Sequence, residues 1–318
     1  MMEVYAAALS YAHNQMGRIL DAIQDLGELD NTLVIYIQDD DGASAEGGQQ
    51  GLLNEMAFFN AVPEDFKQVM ARMDDLGGPL SFNRYPIGWA RCLDTPFQWT
   101  KQIASHFGGT RNGMVMSWPM RIKDKGAIRT QFHHVIDIAP TILEAFGLQS
   151  PSVLNGVPQK SIEGTSLVYT FDNATARSKR RTQYFEMSAN RAIYDDGWIA
   201  CTTPPLAPWE VGKTIDVDDY KWELYNVDKD FSEGNDLAAK NPKKLGETAR
   251  PLLDRGSKIQ RAAAGQQQDR AHGSDQSGLP RCAWRARRSP LVRFPAALFR
   301  FASRQTRRST SAKTPTHP

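Results

Sequence analysis

Three consecutive aspartates, Asp39-Asp40-Asp41, stand immediately before Gly42, with no basic residue beside them. Like charges so placed repel unless a cation sits among them. Calcium, which accepts six to eight oxygen ligands, is the simplest candidate. An EF-hand is excluded: with Asp41-Gly42 at loop positions five and six, position one is Ile37 and position twelve is Gly48. On local sequence alone, a solvated acidic turn after a strand explains the triplet equally well. Lys101 lies between the aromatic run Phe97-Gln98-Trp99 and the turn Gly108-Gly109-Thr110-Arg111. A cation there could contact an anionic ester, whereas a lysine is ordinarily a solvated surface charge. His106 could donate a proton or bind an anion, although a lone histidine is more often structural. His133-His134 has the look of a metal pair, but neighbours on a helix point in different directions and cannot face one ion together. Both are expected on a helix surface or supporting the site from behind. Cys92, Cys201 and Cys282 are far apart and odd in number, fitting neither zinc-ligand spacing nor a disulfide framework.

The elements that must position these residues can be read in order. From Glu3 to Leu26, apolar residues recur at helical spacing (Tyr5, Leu9, Ala12, Met16, Ile19, Ile23) and Gly27 supplies a C-cap. Leu33-Val34-Ile35-Tyr36-Ile37 is a short β-branched run of the kind buried on both faces, and helix followed by buried strand is an α/β signal. The aspartates then fall at the strand's C-terminal edge, where open α/β sheets place their sites. Residues 54–75 read as mixed helix and 77–98 as an irregular, aromatic-rich loop over a site. Met114 to Trp118 is a second strand, stopped by Pro119, and a helix is expected from about Phe132 to Phe146. From Thr182 the texture changes to short strands: Gln183 to Met187, Arg191 to Tyr194, Trp198 to Cys201 and Trp222 to Asn226. Asp196-Gly197 marks a hairpin. A further helix is expected near Pro242.

These segments, in this order, resemble the sulfatase family, specifically arylsulfatase-like enzymes of the alkaline-phosphatase superfamily. The resemblance rests on Asp30 to Ile37, the Asp40-Asp41-Gly42-Ala43-Ser44-Ala45-Glu46-Gly47 turn, Thr95 to Gln102, Gly108-Gly109-Thr110-Arg111, Ser117-Trp118-Pro119, Gln131 to Thr141 and Trp222 to Asn226. It covers about Glu3 to Asp254 and implies an α/β fold: a partial alkaline-phosphatase-like (sulfatase) core, a small antiparallel α+β C-terminal subdomain and a disordered tail. The expected divisions are 1–170, 171–254 and 255–318. It further implies that Asp40 and Asp41 are ligands of an active-site Ca2+, that Lys101 contacts the sulfate and its bridging oxygen, and, more weakly, that His106 is catalytic. The substrate would be a small-molecule sulfate ester. Where the family usually has Asp-Asn, this chain has Asp40-Asp41, which adds negative charge beside the ester.

Catalysis in the family uses a formylglycine made from the cysteine of a Cys-x-(Pro/Ala)-x-Arg motif. Cys92 is followed by Leu-Asp-Thr-Pro, Cys201 by Thr-Thr-Pro-Pro and Cys282 by Ala-Trp-Arg-Ala, so none fits. The family's early aspartate pair and its other catalytic Lys and His are also unmatched. The chain is therefore expected to be the C-terminal part of a longer enzyme and inactive alone. The other readings are a non-catalytic remnant or pseudogene product, and a phosphatase or phosphonate hydrolase of the same superfamily.

The chain's formal charge of +2 averages two unlike parts. Residues 255–318 carry 14 Lys+Arg against Asp269 and Asp275, leaving 24 basic and 34 acidic residues before them. Such a tail could contact nucleic acid, but it has few aromatic residues for stacking and no recognised binding motif. A back-translation of Ser257 to His272, read one base later, can yield sulfatase-like sequence, so a frame slip near Asp254-Arg255 is the expected origin. No nucleic-acid partner is expected from it. No apolar run approaches the roughly 18 residues that cross a bilayer, and no signal peptide opens the chain.

Overall fold

The computed structural model describes residues 1–38, 41–207, 210 and 220–250. Asp40 and the basic tail lie outside the described residues, so the expected ligand at 40, the tail and its frame slip have no structural counterpart here.

Helix α1 spans Met2–Asp25. It ends as its sequence requires: Gly27 takes φ +73°, the Glu28 amide donates to the Ile23 carbonyl (3.1 Å) and the Gly27 amide to that of Gln24 (2.9 Å). This is a Schellman cap, which a residue with a Cβ would strain. None of the helix is fully buried, but its first turn closes a cluster in which Met1, Met2 and Tyr5 pack on Ala43, Tyr85 and Ala90.

Strand β1 (Val34–Gln38) pairs antiparallel with β2 (Gly113–Ser117) in register Tyr36↔Val115. Both strands fall where apolar, β-branched residues concentrate. The expectation of burial on both faces is not met, because these two strands form a two-stranded sheet among the described residues. Ile37 is 38% and Val115 63% exposed. All three sheets of named strands are antiparallel.

Between them, 54–75 forms short helices α2 (Met56–Phe59) and α3 (Phe66–Ala71), the latter capped by the Asp65 carboxylate accepting from the Lys67 and Gln68 amides. The segment 77–98 is less irregular than its glycines and prolines suggest. Pro86 stands at the N-cap of α4 (Ile87–Asp94), whose Ala90 is wholly buried in the α1 cluster. Packing against that cluster supplies what local propensity lacks.

The helix expected from Phe132 begins late, as α5 (Ile138–Ala145) after a 3-10 turn at Val135–Asp137. Pro140 explains the delay. Its ring opposes α-helical geometry four residues upstream and is tolerated only in a first turn. His133 and His134 therefore precede the helix instead of lying on its surface. Residues 153–158 add a small hairpin, β3 (Val153–Leu154) with β4 (Val157–Pro158).

The C-terminal part is a four-stranded meander of β5 (Thr182–Met187), β6 (Asn190–Asp195), β7 (Trp198–Thr203) and β8 (Lys221–Asn226). Asp196 and Gly197 both take positive φ (+45° and +86°), the geometry of the tight hairpin their sequence announces. Side-chain alternation gives this sheet two buried faces. Ala192, Ile199, Cys201 and Tyr225 pack on Phe107 of the preceding part; Ile193, Ala200 and Leu224 pack on Ala249 of the helix over 242–250. The described residues fall in one compact unit.

Candidate active site

Two turns, far apart in sequence, are locked together to make the site. The first runs from Asp41 to Gly47, directly after β1. Asp41 takes φ +60°, uncommon for a residue with a side chain, and its amide donates to Asn112 Oδ1 (3.1 Å). Gly42 takes φ +86° and faces the second turn so closely that a Cβ would lie 2.9 Å from the Gly108 carbonyl carbon, nearer still to its oxygen, and 3.2 Å from the Lys101 nitrogen. Ala43 then receives the Lys101 amide on its carbonyl (3.1 Å) and donates its own to Asp94 Oδ1 (2.8 Å). Glu46 is buried and accepts from Ser44 Oγ (2.9 Å) and Gln102 Nε2 (3.0 Å), with Arg84 at 3.4 Å.

The second turn, Gln98 to Arg111, folds back on itself. The Gly108 amide donates to the Gln98 carbonyl (3.0 Å) and the Gly109 amide to that of His106 (2.9 Å). Gly108 and Gly109 are required because a Cβ on either would overlap neighbouring backbone. Lys101, half-buried, is thus fixed by its own amide to the first turn. Asp41, Lys101, Arg111, Asn112, His133 and His134 all line one cavity of about 1810 Å³.

The charged groups on these walls lie within electrostatic reach of one another. Burial holds the His134 imidazole below its ordinary pKa, and Arg180 lowers it further, while Asp137 and Asp41 act in the opposite sense. His134 is anchored from behind: its amide donates to Asp137 Oδ2 (2.8 Å) and its Nδ1 accepts from the Ile136 amide (3.3 Å). Burial would raise the Asp137 carboxyl, but the Arg180 guanidinium and the Thr165 and His134 amides outweigh it and hold it low. Arg111 is a cation enclosed by aromatic faces, 4.2 Å from the Phe231 ring centroid and 5.2 Å from those of Phe97 and Phe107. Burial lowers its pKa, partly offset by Glu233.

His106 sits elsewhere. It is fully buried, absent from the cavity lining, and turned toward the C-terminal sheet, with Nδ1 2.9 Å from Ser105 Oγ and Nε2 3.2 Å from Glu223 Oε2. Of the residues singled out in the sequence, Asp41 and Lys101 share the cavity and His106 does not; Asp40 is outside the described residues. Of two further cavity residues, Arg111 was given no role by sequence, and His134 was expected on a helix surface or supporting the site from behind. The signal for Arg111 was its place at the end of the Gly-Gly turn.

Residues 1–148 match the family model described as Sulfatase. An uncharacterized sulfatase of Schizosaccharomyces pombe is 29% identical over 249 residues, which is 77% of this chain and 41% of that protein. An arylsulfatase of Klebsiella aerogenes is 28% identical over 180 residues, 57% of this chain and 36% of that protein. The chain thus spans about two fifths of the length of these curated relatives. Among solved structures, a Pseudoalteromonas sulfatase superposes with TM-score 0.46 at 15% identity, covering 77% of this chain and 40% of that one.

Proposed function

Because residues 1–148 match the Sulfatase family model, we propose that the cavity is the sulfate-holding side of a sulfuric ester hydrolase site. The observation that supports this best is the joining of the Asp41 turn to the Lys101 turn through the Lys101 amide and the Gly42–Gly108 approach. Asp41, Lys101, Arg111 and His134 line the same cavity.

In this reading Lys101 holds a sulfate oxygen and the bridging oxygen. As the S–O bond breaks, negative charge grows on the leaving oxygen, and a fixed ammonium stabilises that charge more than the ground state. Asp41, with Asp40, would hold calcium. Asp41 fits such a role: a carboxylate is a hard oxygen donor, and its left-handed backbone is tied down by Asn112 on the cavity wall. Calcium, when bound, would offset the charge of the sulfate oxygens. Arg111 adds a second fixed cation that attracts an anionic ester to the cavity.

The nucleophile is not supplied by this chain's cysteines. Cys92 lacks the motif, and Cys201 lacks it too and is fully buried in β7. We therefore propose that the 318-residue chain binds an aryl sulfate without turning it over. The test is release of 4-nitrophenol from 4-nitrophenyl sulfate by the purified chain with calcium present. No release above buffer is expected. Sustained multiple turnover would overturn the proposal.

A further inference from the structure

Behind the catalytic loop lies a second set of chemistry-bearing side chains that the sulfatase reading does not use. His106, Cys201 and Glu223 come from the loop, β7 and β8, and their ligand atoms all lie within 4.8 Å of one another. His106 Nε2 is 3.7 Å from Cys201 Sγ and 3.2 Å from Glu223 Oε2. His106 and Cys201 are wholly buried, and the Glu223 side chain is 12% exposed.

These separations match the edges of a coordination tetrahedron. With zinc–sulfur near 2.3 Å and zinc–nitrogen or –oxygen near 2.0–2.1 Å, tetrahedral angles put nitrogen and sulfur about 3.5 Å apart and nitrogen and oxygen about 3.3 Å apart. The hydrogen bonding also suits a metal. If His106 Nδ1–H donates to Ser105 Oγ, Nε2 is left with its lone pair aimed between the thiol and the carboxylate. Orientation of a ligand imidazole through its other nitrogen is the usual support for a metal site. Without a cation the arrangement is harder to satisfy. With Nε2 donating to Glu223 and Nδ1 accepting from Ser105, the buried thiol faces an N–H instead of a lone pair.

We propose that His106, Cys201 and Glu223 form a buried binding site for a thiophilic divalent cation of the zinc class, distinct from the hard-oxygen site at Asp41. A water would supply the fourth ligand. On binding, the Cys201 thiol gives its proton to solvent and the thiolate takes the metal, so the two positive charges of the cation are matched by the thiolate and the Glu223 carboxylate. The site would join the Lys101 loop to the C-terminal sheet, since its ligands come from both.

The test is refolding of the full chain with Co2+, which reports thiolate ligation through a sulfur-to-cobalt charge-transfer band in the near ultraviolet. One equivalent of Co2+ is expected to produce the band, equimolar Zn2+ to abolish it, and excess Ca2+ to leave it unchanged. Cys201→Ser should lose the band; Cys92→Ser and Cys282→Ser should keep it. Glu223→Gln, which preserves shape, should weaken Zn2+ binding at least tenfold in competition with a chromophoric chelator. Absence of the band in the wild-type chain at saturating Co2+, its survival in Cys201→Ser, or displacement by Ca2+ would overturn the proposal. The wild-type titration decides the matter even if a variant fails to fold.

Discussion

Replacing Gly42 by alanine tests the joint on which the site depends. Two costs can be separated. The first is conformational: at φ +86° a Cβ meets its own backbone, at about 1–2 kcal/mol. The second is steric and specific to this place. The new Cβ would overlap the Gly108 carbonyl, so the turns must part, which breaks the 3.1 Å bond from the Lys101 amide to the Ala43 carbonyl and strains the 2.8 Å bond from the Ala43 amide to Asp94. Each such bond contributes about 0.5–1.5 kcal/mol, and more when a buried donor is left unsatisfied. Together the loss comes to about 2–5 kcal/mol. Gly48 is the control: its φ is +59°, yet a Cβ there meets nothing within 4 Å, so Gly48→Ala should cost only the conformational ~1–2 kcal/mol. Urea unfolding followed by tryptophan fluorescence reads both as midpoint shifts at constant slope. Gly42→Ala and Gly48→Ala shifting the midpoint equally would refute the reasoning, because the turns would then not be in contact.

Further outcomes follow from the buried charges. Asp137→Ala leaves Arg180, 9% exposed, without its buried partner and should destabilise the chain by about 3–5 kcal/mol in the same unfolding experiment. Asp137 is held below its ordinary 3.8, so its contribution is full above that pH and is lost as pH falls through the lower folded value; acid unfolding of the wild type should show this loss and Asp137→Asn should not. Glu233 goes the other way. Burial raises it to about 8, against the Phe107 amide and Arg111, so the metal-free folded chain keeps a proton that the unfolded chain releases near 4.5. Stability should therefore fall between pH ~4.5 and ~8. Glu233→Gln, which mimics the neutral acid, should flatten that slope as measured by thermal unfolding across the window; an unchanged slope would contradict the assignment.

Much of this architecture was legible because local signals carried it. Gly27 announced the end of α1, Asp196-Gly197 the hairpin, and the apolar runs of β1 and β2 their strands. Three features were not. The extent of burial at β1 depends on how many strands join it, which no property of Val34 to Gln38 reports. The start of α5 was set by Pro140 competing with an otherwise helical pattern, which moved His133 and His134 off the helix. The role of Cys201 was invisible to spacing rules, because its partners stand 95 residues before it in the loop and on the next strand of a sheet. The same fold drew His106 away from the cavity while leaving Lys101 in it. Proximity in sequence could not separate a residue that lines the cavity from one buried against the C-terminal sheet.

The central claim is that Lys101 grips a sulfate ester in the cavity it shares with Asp41, and calorimetric titration of 4-nitrophenyl sulfate into the calcium-supplemented chain tests it most directly. Saturable binding is expected, weakened about 10- to 100-fold in Lys101→Ala, since a hydrogen bond to a charged group contributes about 1.5–3 kcal/mol. Equal affinity in the wild type and Lys101→Ala would contradict it.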